Sequence, residues 1–172
     1  MDMHTLMTTA IEPALKLLAK FGVKSDERAE HLLLAIAKQE SGLVTRWQTG
    51  GPAHGFWQFE IGGIRGVYNH PVSGPILRNV CKSLVIPFDI IAIYNALPHN
   101  DVLAACVARL LLLTDPKPLP ADDQAEAAWD YYERNWRPGK PHEASWAANW
   151  ELGSEAVMVA SAQQSADKDM HA

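Results

Sequence analysis

The sequence predicts a mainly α-helical, single-domain protein. Apolar residues recur at helical spacing in several segments, and no segment alternates apolar and polar residues as a half-buried strand would. Of the 172 residues, 48% are hydrophobic and 20% are charged, which is typical of a folded chain with one core. Residues 1–150 are expected to form this domain. Residues 151–172 contain no aromatic residue and are expected to form a flexible acidic tail.

The first predicted helix begins at Thr8 or Thr9, either of which can cap a helix, and reaches about Phe21. Its apolar face includes Ile11 and Leu15, which are four residues apart.

The second predicted helix begins after Ser25, another residue that favours the N-cap position. Leu32, Leu33 and Ile36 form its apolar face, and Gly42 is suited to end it because glycine readily adopts the left-handed conformation found there.

Later segments give two further helices and two loops. Asn100 is expected to cap a helix that reaches about Leu113, and Asp122 or Asp123 to cap another that reaches about Trp136. Residues 44–55 and 62–75 are rich in glycine and are predicted to be loops. The segment Leu84 to Ile93 is ambiguous between strand and helix.

Charge and hydropathy exclude several classes of function. Fifteen basic and twenty acidic residues give a net charge of -5 and no basic stripe, so nucleic acid is not expected as a partner. The longest apolar run, Val102 to Leu113, is too short to span a membrane. The N-terminal residues lack the features of a secretory signal. Cys81 and Cys106 lack metal-binding spacing and are expected to be reduced core residues.

Glu40 is the residue that departs from the helical pattern. It follows Ile36 by four residues and Leu33 by seven, so its carboxyl group lies on the face that should be buried. Burial and the negative end of the helix dipole both disfavour the charged form, so the pKa of Glu40 is expected to be raised, as a general acid requires. The alternative is that Glu40 turns outward in the last helical turn and is solvated.

Two motifs resemble the lysozyme-like superfamily of lytic transglycosylases and goose-type lysozymes. Glu40-Ser41-Gly42-Leu43 is followed, fifteen residues after Glu40, by Gly55-Phe56-Trp57-Gln58, where that family has Gly-Leu-Met-Gln. A looser match at residues 127–132 stands where the family has an Ala-Tyr-Asn element. The resemblance implies that Glu40 is the catalytic acid. It also implies substrate-binding roles for Ser41, Gly55, Phe56, Trp57, Gln58, Trp129 and Tyr131, in a glycan cleft formed by long loops.

The implied reaction is cleavage of the β-1,4 bond between N-acetylmuramic acid and N-acetylglucosamine in peptidoglycan. Glu60 is the sequence candidate for the second carboxylate that an inverting lysozyme needs, whereas a lytic transglycosylase needs none. No cofactor or metal is implied. The expected partners are glycan strands and other proteins of a phage particle, with synthesis in the cytoplasm and action at the cell wall. The alternative is a structural or virion protein on the same scaffold with little or no activity.

The six tryptophans are expected to serve three purposes. Trp47 and Trp57 are candidates for the sugar cleft, and Trp129 and Trp136 belong to the late helix. Trp146 and Trp150 are expected to fasten the end of the domain before the tail.

Overall fold

The computed structural model describes the backbone of residues 1–170 and the side chains of residues 1–163, 165 and 166. This part of the chain is a mainly α-helical single domain without strands, which confirms the predicted fold class. Its α-helices are α1 (Met3–Leu6), α2 (Glu12–Ala19), α3 (Glu27–Ser41), α4 (Ile61–Asn69), α5 (Ser73–Ser83), α6 (Ile90–Ala96), α7 (Asp101–Leu112), α8 (Ala125–Trp136) and α9 (Trp146–Met170).

The chain begins its first helix earlier than Thr8 or Thr9. The Asp2 carboxylate accepts a hydrogen bond from the Thr5 backbone N–H at 2.8 Å and caps α1. A π-helical turn, Met7–Ile11, then leads directly into α2, so the two helices form one continuous helical segment.

Helix α3 lies in the centre of the domain and ends at Gly42 as predicted, with φ of 59° there. Every residue from Leu32 to Ala37 is fully buried. The predicted capping residue, Ser25, has another partner, because its hydroxyl group accepts a hydrogen bond from the Arg109 Nε at 3.1 Å. Asp26 occupies the N-cap position instead.

The prediction of a loop over residues 62–75 is wrong, because most of this segment belongs to α4 and α5. Ile64 and Val67 are buried, and this packing outweighs the low helix propensity of the glycines. A β-carbon at Gly74 would collide with the Tyr68 carbonyl oxygen, so that glycine permits close packing between the two helices. In the ambiguous segment that follows, Asp89 caps α6 by accepting hydrogen bonds from two backbone N–H groups.

The later helices end close to where the sequence predicts. The Asn100 side chain caps α7, as expected, by accepting a hydrogen bond from the Leu103 N–H at 2.9 Å. Asp122 and Asp123 do not cap α8, whose N-cap residue is Gln124. Asp122 instead contacts the buried His31 ring, with its Oδ1 3.1 Å from Nδ1.

The sequence predicts a flexible tail from residue 151, whereas residues 151–170 belong to α9; residues 171 and 172 lie outside the described part. Gly153, Val157 and Ala160 recur at helical spacing and are buried against α3. Small residues permit this close approach. The domain boundary at residue 150 is therefore not seen, and α9 is part of the domain.

Trp146 and Trp150 hold the start of α9 in place, as predicted. Both are buried, and their indole N–H groups donate to the carbonyl oxygens of Ala125 and Asp122 at 2.8 and 3.0 Å.

Cys81 and Cys106 are free thiols buried in the core. No helix among the described residues is both long and apolar enough to cross a membrane.

We expect Val157→Asp to lower the free energy of unfolding by at least about 3 kcal/mol, because it places an unpaired charge in the interface between α3 and α9. Met158→Asp is the matched control, since the neighbouring side chain is 62% exposed. It should change the stability by about 0.5 kcal/mol or less. Urea denaturation measures both, and equal stability of the two variants would contradict the observed packing of α9.

Candidate active site

An open cleft of about 760 Å³ lies where the C-terminal ends of α3 and α8 meet the start of α4. Its lining includes both carboxylates that the sequence predicts to be catalytic. The lining residues are Gln39, Glu40, Gln48, Ala53, Gln58, Phe59, Glu60, Gly62, Gly63, Leu111, Tyr132, Asn135, Trp136, Arg137, Pro138, Gly139, Lys140 and His142.

Glu40 is the half-buried acid of this cleft, in the last turn of α3. Burial raises the pKa of its carboxyl group from 4.5 to about 7. A hydrogen bond from Tyr132 acts in the opposite direction but does not cancel the effect of burial. The raised pKa predicted from helical periodicity is confirmed, and Glu40 holds a proton on a large fraction of molecules near neutral pH.

Tyr132 is the residue that holds Glu40 in position. Its hydroxyl group donates a hydrogen bond to Glu40 Oε1 at 2.6 Å. The Tyr132 ring is buried and stacked on Trp146, with the centroids 5.2 Å apart and an interplanar angle of 13°. Because the ring is packed, the hydroxyl group has a fixed position. Burial and the nearby Glu40 charge raise the pKa of Tyr132, so it stays a hydrogen-bond donor.

The adjacent Tyr131, which the resemblance assigns to substrate binding, faces away from the cleft. Its hydroxyl group donates to the Leu112 carbonyl oxygen at 2.9 Å, and its ring is buried. Neighbouring residues of a helix point about 100° apart, so only one of the two tyrosines can face α3. Aromatic residues at 129, 132 and 136 share one helical face, so the spacing groups Tyr132 with the two tryptophans, although the rotation of α8 about its axis decides which face meets α3.

The Gly55-Phe56-Trp57-Gln58 motif forms a tight turn in which Gly55 has φ of 74°. Phe56 and Trp57 are 1% and 0% exposed, so the expectation that they contact substrate is wrong in this structure. The Trp57 indole N–H donates to the Leu33 carbonyl oxygen at 3.0 Å. Large apolar rings at these two positions fill the core. Of the motif, only Gln58 lines the cleft.

Ser41, Gly55 and Trp129 also lie outside the cleft lining and support it from behind. The Ser41 hydroxyl group donates to the Ala37 carbonyl oxygen at 2.8 Å and accepts from the Leu43 N–H, which closes the end of α3. A β-carbon at Gly55 would pack against α7. Trp129 is buried beside Tyr132, with ring centroids 5.3 Å apart.

Glu60 is exposed at the N-cap position of α4 and lines the same cleft as Glu40. The structure therefore brings together the two carboxylates that the sequence singles out. Trp47, in contrast, is 48% exposed beside His99 and is not part of the cleft lining.

The 137–142 segment, which follows α8, is a part of the cleft that the sequence analysis did not identify. It contributes Arg137, Lys140 and His142 to the lining, next to the half-buried Trp136. Its position depends on contacts with residues about a hundred positions away, so no local pattern indicates it. Among the described residues, no group of three or more histidine, cysteine, aspartate or glutamate side chains is arranged to hold a metal ion.

We expect Glu40→Gln to be more stable than the unmodified protein above neutral pH. A carboxyl group whose pKa rises from 4.5 to about 7 on folding stabilises the folded state fully only below pH 4.5, and this contribution is lost as the pH rises through 7. The amide of Gln does not ionise, so its burial costs no charge desolvation at high pH, and it still offers an oxygen to Tyr132. The variant should gain roughly 3 kcal/mol relative to the unmodified protein between about pH 4 and about pH 8.

Urea denaturation at several pH values measures this difference. A constant difference between the two proteins across the range would contradict a raised pKa of Glu40.

Comparisons of the chain with models of protein families, with curated proteins and with solved structures gave no match.

Proposed function

We propose that this protein is a peptidoglycan-cleaving glycosidase in which Glu40 is the general acid. The bond cleaved is the β-1,4 bond between N-acetylmuramic acid and N-acetylglucosamine. The single observation that carries the proposal is a carboxyl group with a pKa of about 7, fixed by Tyr132 in an open cleft. The resemblance of the two motifs adds to it, and we assign the mainly α fold to the lysozyme-like superfamily on that ground.

Glycosidic cleavage begins with transfer of a proton to the leaving oxygen. Oε1 of Glu40 accepts the hydrogen bond from Tyr132, so Oε2 is the oxygen that carries the acidic proton. A pKa close to the working pH keeps enough of the acid protonated while it remains strong enough to give the proton away. The leaving sugar departs as an alcohol, and Glu40 is left as a carboxylate.

The lining of the cleft suits a glycan. Side-chain amides of Gln48 and Gln58 offer groups that can bond to hydroxyl and N-acetyl groups. The amide of Gln39 is instead bonded within the protein to His142 and Asn149. Trp136 adds an aromatic surface of the kind on which sugar rings pack. Its indole N–H donates to the Trp57 carbonyl oxygen at 3.0 Å, which fixes the ring.

Glu60 decides between two chemistries for the second step. As a base it would activate water, and the product would have a reducing end. In the transglycosylase reaction, Glu40 itself takes a proton from the muramyl 6-hydroxyl group, which attacks the anomeric carbon and forms an anhydro sugar. Both carboxylates line the cleft, so both chemistries have their groups available.

We expect the purified protein to clear a suspension of bacterial cell walls and Glu40→Gln to lose at least about 99% of the rate, as is usual when a general acid is removed. Glu30→Gln is the matched control: Glu30 is also a half-buried glutamate of α3 with a pKa raised by burial, but it lies outside the cleft lining. Turbidity measures the rate, and full clearing by Glu40→Gln would refute the proposal.

Mass spectrometry of the released fragments identifies the chemistry. Reducing ends together with loss of activity in Glu60→Gln assign hydrolysis, and anhydro ends assign transglycosylation. Binding to cell walls without release of any fragment would instead support the alternative of a binding or virion protein on this scaffold.

The rate of clearing should fall with a midpoint near pH 7 as the pH rises, because Glu40 must be protonated at the start of the reaction. The hydrogen bond from Tyr132 lowers the pKa of Glu40, so Tyr132→Phe should move this midpoint to higher pH while reducing the maximal rate. Tyr131→Phe is the control and should leave the midpoint unchanged. A midpoint that is the same in all three proteins would show that Tyr132 does not influence the acid.

A further inference from the structure

A group of basic side chains lies on the wall of the cleft. In the 137–142 segment, Arg137, Lys140 and His142 are exposed, and all three belong to the cleft lining. Among the described residues, neither Arg137 nor Lys140 is in an ion pair. The whole chain has a net charge of -5, so the charge of this group is opposite in sign to that of the protein as a whole.

Hydrogen bonds hold the segment in place at both ends. Before it, the Trp136 indole N–H donates to the Trp57 carbonyl oxygen at 3.0 Å. At its last residue, the Gln39 amide N–H donates to the His142 carbonyl oxygen at 2.9 Å. The Gln39 amide oxygen in turn accepts from Asn149 at 2.7 Å. These contacts fasten the segment to the turn after residue 55 and to α3, directly beside the catalytic glutamate.

The backbone of the segment is also restricted. Pro138 and Pro141 each have a nearly fixed φ. Arg137 ends α8 in the left-handed conformation, with φ of 51°. A segment that is ordered before binding loses little conformational entropy when it binds a ligand. The side chains of Arg137 and Lys140 therefore extend from an ordered backbone.

The electrostatics of the cleft favour an anionic ligand at this position. When Glu40 is protonated, Arg137 and Lys140 outnumber Glu60, the other carboxylate of the lining. Guanidinium and ammonium groups bind carboxylates through charge-assisted hydrogen bonds. The glycan backbone itself, with its hydroxyl and N-acetyl groups, offers no such partner. The muramyl residues of peptidoglycan do, because each bears a lactyl group that carries a peptide with free carboxylates.

We propose that the 137–142 segment is a carboxylate-binding subsite that recognises the peptide stems of peptidoglycan, with Arg137 and Lys140 as the ligand-binding side chains. This inference rests on the proposed glycosidase function. It makes the enzyme selective for glycan that bears peptides over a neutral glycan such as chitin, which shares the β-1,4 linkage and the N-acetyl groups.

The test measures binding without cleavage in full-length Glu40→Gln protein. The anionic probe is the N-acetylglucosaminyl-N-acetylmuramyl pentapeptide, the neutral probe is chitotetraose, and tryptophan fluorescence reports binding because Trp136 lines the cleft. Adding Arg137→Gln with Lys140→Gln should weaken binding of the muramyl peptide about tenfold at low salt and leave binding of chitotetraose unchanged. The effect should shrink at high salt.

The matched control replaces two exposed lysines outside the cleft lining, Lys20→Gln with Lys24→Gln, and removes the same charge. It should bind both probes like the parent. Equal affinity of the 137/140 variant and the control for the muramyl peptide would overturn the inference. An equal loss of affinity for both probes in the 137/140 variant would also overturn it.

Failure of the inference and failure of the proposed function give different results. If cell-wall cleavage depends on Glu40 and the 137/140 variant binds muramyl peptide normally, the glycosidase stands and the subsite does not. If the protein cleaves nothing but muramyl peptide binding depends on Arg137 and Lys140, the subsite stands on a binding protein.

Discussion

The enclosure of the central part of α3 is the constraint on which the rest of the site depends. Every side chain from Leu32 to Ala37 is buried, so the helix has no solvent-facing side along this stretch. Both ends of the helix emerge, and the cleft begins at the C-terminal end. The carboxyl group at position 40, one turn after this buried stretch, is partly withdrawn from water. The perturbed acid follows from the position of a helix end within the core, and Tyr132 adds its orientation.

The local sequence pattern predicts secondary structure and burial well where neighbouring residues in the sequence determine them. The period of α3 was enough to place Glu40 on a buried face, and Asn100 and Gly42 mark helix ends by their own chemistry. The predictions failed where packing against residues distant in the sequence determines the structure. Glycine-rich residues 62–75 are helical because α4 and α5 pack closely, and the supposed tail is helical because its small residues fit against α3.

The same distinction applies to the site residues. Of the motif around Gly55, Gln58 lines the cleft, but the motif could not show that the side chains of Phe56 and Trp57 point into the core. Tyr132 was missed in favour of its neighbour because the choice depends on the rotation of α8 about its axis. The 137–142 segment has no local signal at all, since the Gln39 amide that holds it lies 103 residues before His142.

The position of α9 has a consequence for how the protein is made. The ring of His31 on α3 lies against Trp150, and its Nε2 is 2.7 Å from a carbonyl oxygen 119 residues later in the chain. Contacts between such distant residues form late, because a long loop must close before they are gained. During synthesis, α3 leaves the ribosome long before α8 and α9 exist to cover it. We therefore expect Glu40 to acquire its raised pKa only when α8 and α9 have packed, and to have an ordinary pKa in the nascent chain.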